Sequence, residues 1–151
     1  MLAAGDRLPR VTVADDTGKN VKTSDLMGKT LVVYFYPKDD TPGCTSEAGQ
    51  FSDAYERFRE KGAEIVGVSR DSADSHRKFK EKYGIPYRLL ADVDSKLCDA
   101  FGVIVEKNMY GKKSLGIQRS TFLVDAAGTI VRVWPKVSVN GHAADVLAAI
   151  A

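Results

Sequence analysis

Seven consecutive residues, Thr30-Leu-Val-Val-Tyr-Phe-Tyr36, carry no charge and show no alternation of polar and apolar types. Such a run, rich in β-branched and aromatic residues, is a strand covered on both faces. A strand of that kind needs packing layers above and below its sheet, which restricts the chain to a small set of α/β architectures. The residues that follow supply one layer. Thr41-Pro42 is a helix start, with Thr41 as N-cap and Pro42 at the first helical position. Ala48, Phe51, Tyr55 and Phe58 then recur at spacings of three and four, giving that helix one apolar face. Gly62 ends it.

Glu64 to Ser69 is the next strand, and strand, helix, strand in that order implies a right-handed crossover and a parallel pair. Asp71-Ser72 caps a second helix that runs to Tyr83 and is closed by Gly84. Tyr87 to Leu90 is a short strand, and Asp94 to Phe101 a short helix ending at Gly102. Glu106 to Gly116 is polar, holds two glycines and three lysines, and reads as a loop. Ser120 to Val124 and Thr129 to Trp134 form an antiparallel hairpin. His142 to Ile150 is the last helix. The expectation is one domain over residues 1–151, of α/β class, with a mixed central sheet flanked by helices.

Composition narrows the function classes. With 44% hydrophobic residues, 28% charged residues and a formal net charge of +2, the chain is neither disordered nor a coiled coil. Its weak field argues against nucleic acid as a partner. No apolar run approaches the ~18 residues that cross a bilayer, and the first residues turn charged too soon for a secretory leader. A cytoplasmic location without membrane contact is therefore expected. There thiols stay reduced unless they do chemistry, and the two cysteines, Cys44 and Cys98, belong to no C-x-x-C pair.

The segment Pro37-Lys-Asp-Asp-Thr41-Pro-Gly-Cys44-Thr-Ser-Glu47 joins the buried strand to its helix, a usual place for sites in open α/β sheets. With Thr41 as N-cap, Cys44 is the third helical residue, among unpaired N–H groups at the positive end of the helix dipole. Bringing a thiol of pKa ~8.5 down to ~6 needs about 3.4 kcal/mol at ~1.36 kcal/mol per pH unit. A helix terminus supplies roughly 0.3–1 kcal/mol, or ~2 when partly buried. A cation must supply the rest, and Arg119, just before the strand Ser120 to Val124, is the candidate. Its planar fork can hold sulfur and substrate oxygens together. Attack on a weakly electrophilic substrate also needs donors for the transition state. Thr41 Oγ and the N–H groups of Gly43 and Cys44 are of the right kind.

The turn resembles the P-x-x-x-T-x-x-C motif of peroxiredoxins, reading Pro37-x-x-x-Thr41-x-x-Cys44 here. The longer string F-Y-P-K-D-D-T-P-G-C-T-S-E looks like the bacterioferritin comigratory protein (Q-type) subgroup. Gly67-Val-Ser-Arg-Asp-Ser72, Leu89-Leu-Ala-Asp92 and Arg119-Ser-Thr-Phe-Leu-Val-Asp125 extend the similarity over essentially the whole chain. The resemblance implies a thioredoxin-like fold and a thiol-dependent peroxidase acting on hydrogen peroxide and alkyl hydroperoxides. By that analogy Cys44 attacks the O–O bond and becomes a sulfenic acid. Thr41 hydrogen-bonds the peroxide, Arg119 holds thiolate and peroxide oxygen, and Pro37 shields the pocket. No metal or organic cofactor is implied. The reductant is thioredoxin or another thiol, and the chain is a monomer or weak dimer.

The chain departs from the subgroup at the resolving cysteine. The position five residues after Cys44 is Gly49, and no cysteine stands at His76 to Lys80 in the next helix, the other place where relatives carry one. Cys98 reads as a packed core thiol, with Leu97 and Phe101 on the same apolar face. The expectation is a one-cysteine mechanism resolved by an external thiol. The alternatives are resolution by Cys98, or a redox-sensing module of the same fold without efficient turnover. His76 and His142 read as surface histidines, Arg77 to Lys82 as a solvated basic face, Trp134 as packing, and Lys107, Lys112 and Lys113 as solubilising loop lysines.

Overall fold

A computed structural model describes residues 1–150. Seven strands form one mixed sheet in the order β2-β1-β5-β4-β3-β8-β9. They are β1 (Thr12–Asp15), β2 (Asn20–Lys22), β3 (Thr30–Phe35), β4 (Ala63–Ser69), β5 (Arg88–Ala91), β8 (Ser120–Val124) and β9 (Ile130–Trp134). The apolar run is β3, central as its composition requires. It pairs in parallel with β4 (Val33 opposite Val66) and antiparallel with β8 (Val33 opposite Phe122). The β4–β5 pair is also parallel. Helices α1 (Pro42–Glu60), α2 (Ala73–Tyr83), α3 (Lys96–Phe101) and α4 (His142–Ala148) complete the layers. The thioredoxin-like arrangement expected from sequence is the one found.

The alternation of β3 side chains divides the core in two. Val32, Tyr34 and Tyr36 point to one face, where α1 supplies Cys44, Phe51 and Phe58, α2 supplies Phe79, and α4 supplies Val146. Leu31, Val33 and Phe35 point to the other, against Leu97, Cys98 and Phe101 of α3. The two cysteines therefore sit in separate cores on opposite faces of the sheet.

Several boundaries differ by one or two residues. Strand β3 stops at Phe35, β5 runs from Arg88 to Ala91, α3 begins at Lys96, and α4 ends at Ala148. One assignment is corrected outright. Residues 104–117 are a two-stranded ribbon, β6 (Ile104–Met109) and β7 (Lys112–Ile117), paired antiparallel from Ile104↔Ile117 to Met109↔Lys112. It turns at Tyr110-Gly111, both at positive φ (54° and 80°), as tight hairpins require. Both sides of this ribbon are largely exposed, so neither strand carries a buried face to print alternation into the sequence.

Candidate active site

The β3–α1 turn forms as its residues dictate. Thr41 has the extended backbone of an N-cap (φ −97°, ψ 156°), and Pro42 opens the helix. The first helical hydrogen bond runs from Thr45 N–H to Thr41 C=O at 2.8 Å. The N–H groups of Gly43 and Cys44 precede it and lie among the unpaired donors of the first turn. The Thr41 hydroxyl does not cap. It donates to the Lys38 carbonyl at 2.9 Å, which leaves its lone pairs as acceptors. Pro37 is exposed.

Cys44 is 2% exposed. Arg119 arrives from the start of β8, the strand hydrogen-bonded to β3, and its Nη2 donates to Cys44 Sγ at 3.4 Å. The guanidinium lies so close over Gly43 that a Cβ there would stand 3.1 Å from Nη2. Glycine at that position keeps the path open.

Sequence reasoning missed Glu47. It is 1% exposed and lies three residues after Cys44 on α1, so the helix puts both side chains on one face. Arg119 Nη1 donates to Glu47 Oε1 at 2.7 Å, while Oε2 is buried without a hydrogen-bond partner. Burial pushes the Glu47 carboxyl up to about 7 against the pull of Arg119. At Arg119 burial works against the charge, but Glu47 and then Cys44 more than offset it. The fork thus spans carboxylate and sulfur, fixed in place and carrying its charge.

Both histidines are corrected from surface to core. His76 is wholly buried and His142 is 4% exposed. His76 places Nδ1 2.7 Å from Asp39 Oδ2 and Nε2 2.8 Å from the Leu90 carbonyl. Tyr36 and Ser75 hydroxyls donate to the same Asp39 carboxylate, and the Asp39 N–H donates to Asp71. Asp39 lies in the turn that carries Thr41, so this network ties the turn to α2. Asp39, Asp71 and His76 are the one candidate metal cluster among the described residues, but these hydrogen bonds already engage their ligand atoms. His142 Nε2 meets Thr121 Oγ1 at 2.8 Å, and burial lowers its pKa to about 4. Trp134 packs against the same core, as expected.

Cys98 is closed in on the far side of the sheet. It is 0% exposed, and burial, followed by Asp92, pushes its thiol far up. No helix among the described residues is long and apolar enough to cross a membrane.

Comparison with known proteins shows the family to which this fold and sequence belong. The AhpC/TSA family profile matches residues 4–133. The chain is 47% identical over 146 residues to a Coxiella burnetii protein named putative peroxiredoxin Bcp, covering 97% of each chain. It is 49% identical over 143 residues to Bacillus subtilis peroxiredoxin Bcp, covering 95% of this chain and 91% of that one. Among solved structures it superimposes on the Xanthomonas campestris bacterioferritin comigratory protein, described for its alkyl peroxide reduction activity. That match has a TM-score of 0.89 and 46% identity, and covers 96% of this chain and 97% of the other. By these matches the chain belongs to the bacterioferritin comigratory (Q-type) branch of the peroxiredoxins, thiol-dependent peroxidases of the AhpC/TSA family.

Proposed function

We propose that Cys44 is the peroxidatic cysteine and that it works by a one-cysteine mechanism, with an external thiol resolving the oxidised form. Hydrogen peroxide and alkyl hydroperoxides are the substrates, the latter by extension from the alkyl peroxide reduction ascribed to the Xanthomonas relative. The peroxide O–H donates to the free lone pairs of Thr41 Oγ1, while Arg119 and the N–H groups of Gly43 and Cys44 face the developing negative charge. The thiolate attacks one peroxide oxygen. An S–O bond forms, the O–O bond breaks, and the second oxygen leaves with the electron pair and takes up a proton as water or alcohol. Cys44 is then a sulfenic acid. Pro37 covers the turn and limits water.

A first thiol converts the sulfenic acid to a mixed disulfide with loss of water. A second thiol, thioredoxin or a small dithiol, releases Cys44 and carries away the disulfide. The observation that carries the one-cysteine reading is the placement of Cys44 and Cys98 in cores on opposite faces of the sheet. A disulfide needs Cα atoms within about 7 Å, so pairing these thiols would require dismantling one core. All the groups invoked come from one chain, so a monomer or weak dimer suffices. A reducing compartment such as the bacterial cytoplasm suits two free thiols.

The test is intact mass after one equivalent of hydrogen peroxide, with free thiols capped under denaturing, non-reducing conditions. Cys44 is expected to trap as sulfenic acid with Cys98 still cappable, and C98S is expected to consume peroxide near the wild-type rate with a small thiol. Loss of both thiols within a monomer, or a large loss of turnover in C98S, would make Cys98 the resolving partner.

A further inference from the structure

The Thr41 hydroxyl owes its direction to one peptide group. It donates to the Lys38 carbonyl at 2.9 Å. A hydroxyl has one proton and two lone pairs, so this bond spends the proton and leaves only acceptors for a peroxide O–H. The Lys38 carbonyl shares its planar unit with the Asp39 N–H, and across a trans peptide the two point in opposite directions. That N–H donates to Asp71 Oδ2 at 2.9 Å. Holding one end of the plane therefore sets the other.

Asp71 stands outside the active-site turn, between β4 and α2, and is itself held. Ser69, the wholly buried last residue of β4, donates its hydroxyl to Asp71 Oδ2 at 2.5 Å and accepts from the Asp71 N–H at 3.2 Å. Because Ser69 spends its proton on Oδ2, that oxygen accepts, and it pairs with an N–H rather than a carbonyl. The Asp39 carboxylate is pinned as well, by the Tyr36 and Ser75 hydroxyls and by His76. A chain of hydrogen bonds thus runs from the sheet through Ser69, Asp71 and the Lys38–Asp39 peptide to Thr41.

The opposite setting of that plane reverses the chemistry. With the peptide turned over, an N–H and not a carbonyl faces Thr41 Oγ1. It occupies a lone pair and frees the hydroxyl proton, so Thr41 offers a donor where the peroxide needs an acceptor. We propose that Asp71 is a positioning residue for the peroxidatic reaction, keeping Thr41 Oγ1 an acceptor by holding the Lys38–Asp39 peptide in this setting. The inference rests on the peroxide-accepting role of Thr41 given above. Asp71 acts on the substrate only through Thr41.

The test is a double-mutant cycle on the rate constant for oxidation of reduced Cys44 by excess hydrogen peroxide. D71A is expected to slow it about tenfold, the size of one hydrogen bond made in the transition state. D71N, which keeps an acceptor oxygen for the Asp39 N–H, should stay within about twofold of wild type. T41V should also be slow, and adding D71A to it should cost nothing further. Additive losses in T41V/D71A overturn the inference, since Asp71 would then serve the turn as a whole. So does D71A at the wild-type rate, or D71N no faster than D71A. T41V at the wild-type rate removes instead the acceptor role of Thr41, and this inference with it. Thermal melts check folding. Should D71A not fold, S69A takes its place in the cycle, with a smaller loss that must likewise vanish in T41V.

Discussion

Arg119 does two jobs with one planar group, and they can be separated. Its Nη1 satisfies a carboxylate that would otherwise be buried alone, and its Nη2 touches the sulfur. Replacing it by methionine strands Glu47, and leaving one partner of a buried pair costs about 3–5 kcal/mol. It also removes a donor from the transition state, for which about a 10²-fold fall in kcat/KM is expected. R119M should show both losses. R119M/E47Q should recover most of the stability, since no ionised carboxyl remains, and none of the activity. Recovery of activity in the double variant would mean that Arg119 acts on Glu47 alone. R119K should remain deficient, because a single ammonium cannot reach both partners as the fork does. Thermal melts and peroxide kinetics on the same preparations check all three expectations.

Between elements, the contact that fixes the active-site turn is the Asp39–His76 pair, which joins the end of β3 to α2. Both residues are buried, and each makes further hydrogen bonds. H76L is expected to cost about 3–5 kcal/mol in chemical denaturation, because it leaves the Asp39 carboxylate in the core without its cation-capable partner. A cost below about 1 kcal/mol would show that the turn is held by its other contacts. His76 was not legible from sequence for a physical reason. A lone histidine among Arg77, Lys78 and Lys80 has the same local signal whether its ring points inward or outward, and only the distant Asp39 decides. Glu47 was closer to legible, since its spacing from Cys44 puts both on one helical face and a buried arginine needs an anion. The α1 start was fully legible because Thr41-Pro42 and the repeat Ala48, Phe51, Tyr55, Phe58 act within one helix. The β6–β7 ribbon is hard to read because most of its side chains are exposed and leave no alternation in the sequence. The two-residue turn at Tyr110-Gly111 was its sole sequence mark. Strands β1 and β2, four and three residues long, are too short to carry a pattern that the sequence reading could use.

Across the whole molecule, two buried groups on the Cys44 side of the sheet are set against each other in pH. Glu47 is raised from 4.5 to about 7 by burial. Its contribution to stability is therefore complete below pH 4.5 and is lost as pH rises through about 7. His142 is lowered from 6.5 to about 4, again by burial first, with Arg119 adding to the depression and Asp145 opposing it. Its contribution is complete above pH 6.5 and is lost as pH falls through about 4. Each amounts to about 3 kcal/mol at ~1.4 kcal/mol per pH unit, with opposite signs over nearly the same window. Asp15, held low by its Thr17 and Lys19 hydrogen bonds and by Arg88 despite burial, titrates below this range. The reduced wild-type protein should therefore show little change in unfolding free energy between pH 7 and 4.5. The variants should uncover the two halves. E47Q, keeping an acceptor for Arg119, should lose about 2–3 kcal/mol on acidification, because only His142 remains to be charged in the core. H142Q, keeping a partner for Thr121, should gain a similar amount, because only Glu47 remains to be neutralised. Urea unfolding of the three proteins at both pH values decides the matter. Parallel pH profiles for E47Q and H142Q would mean that neither carboxyl nor imidazole carries the pH dependence of this fold.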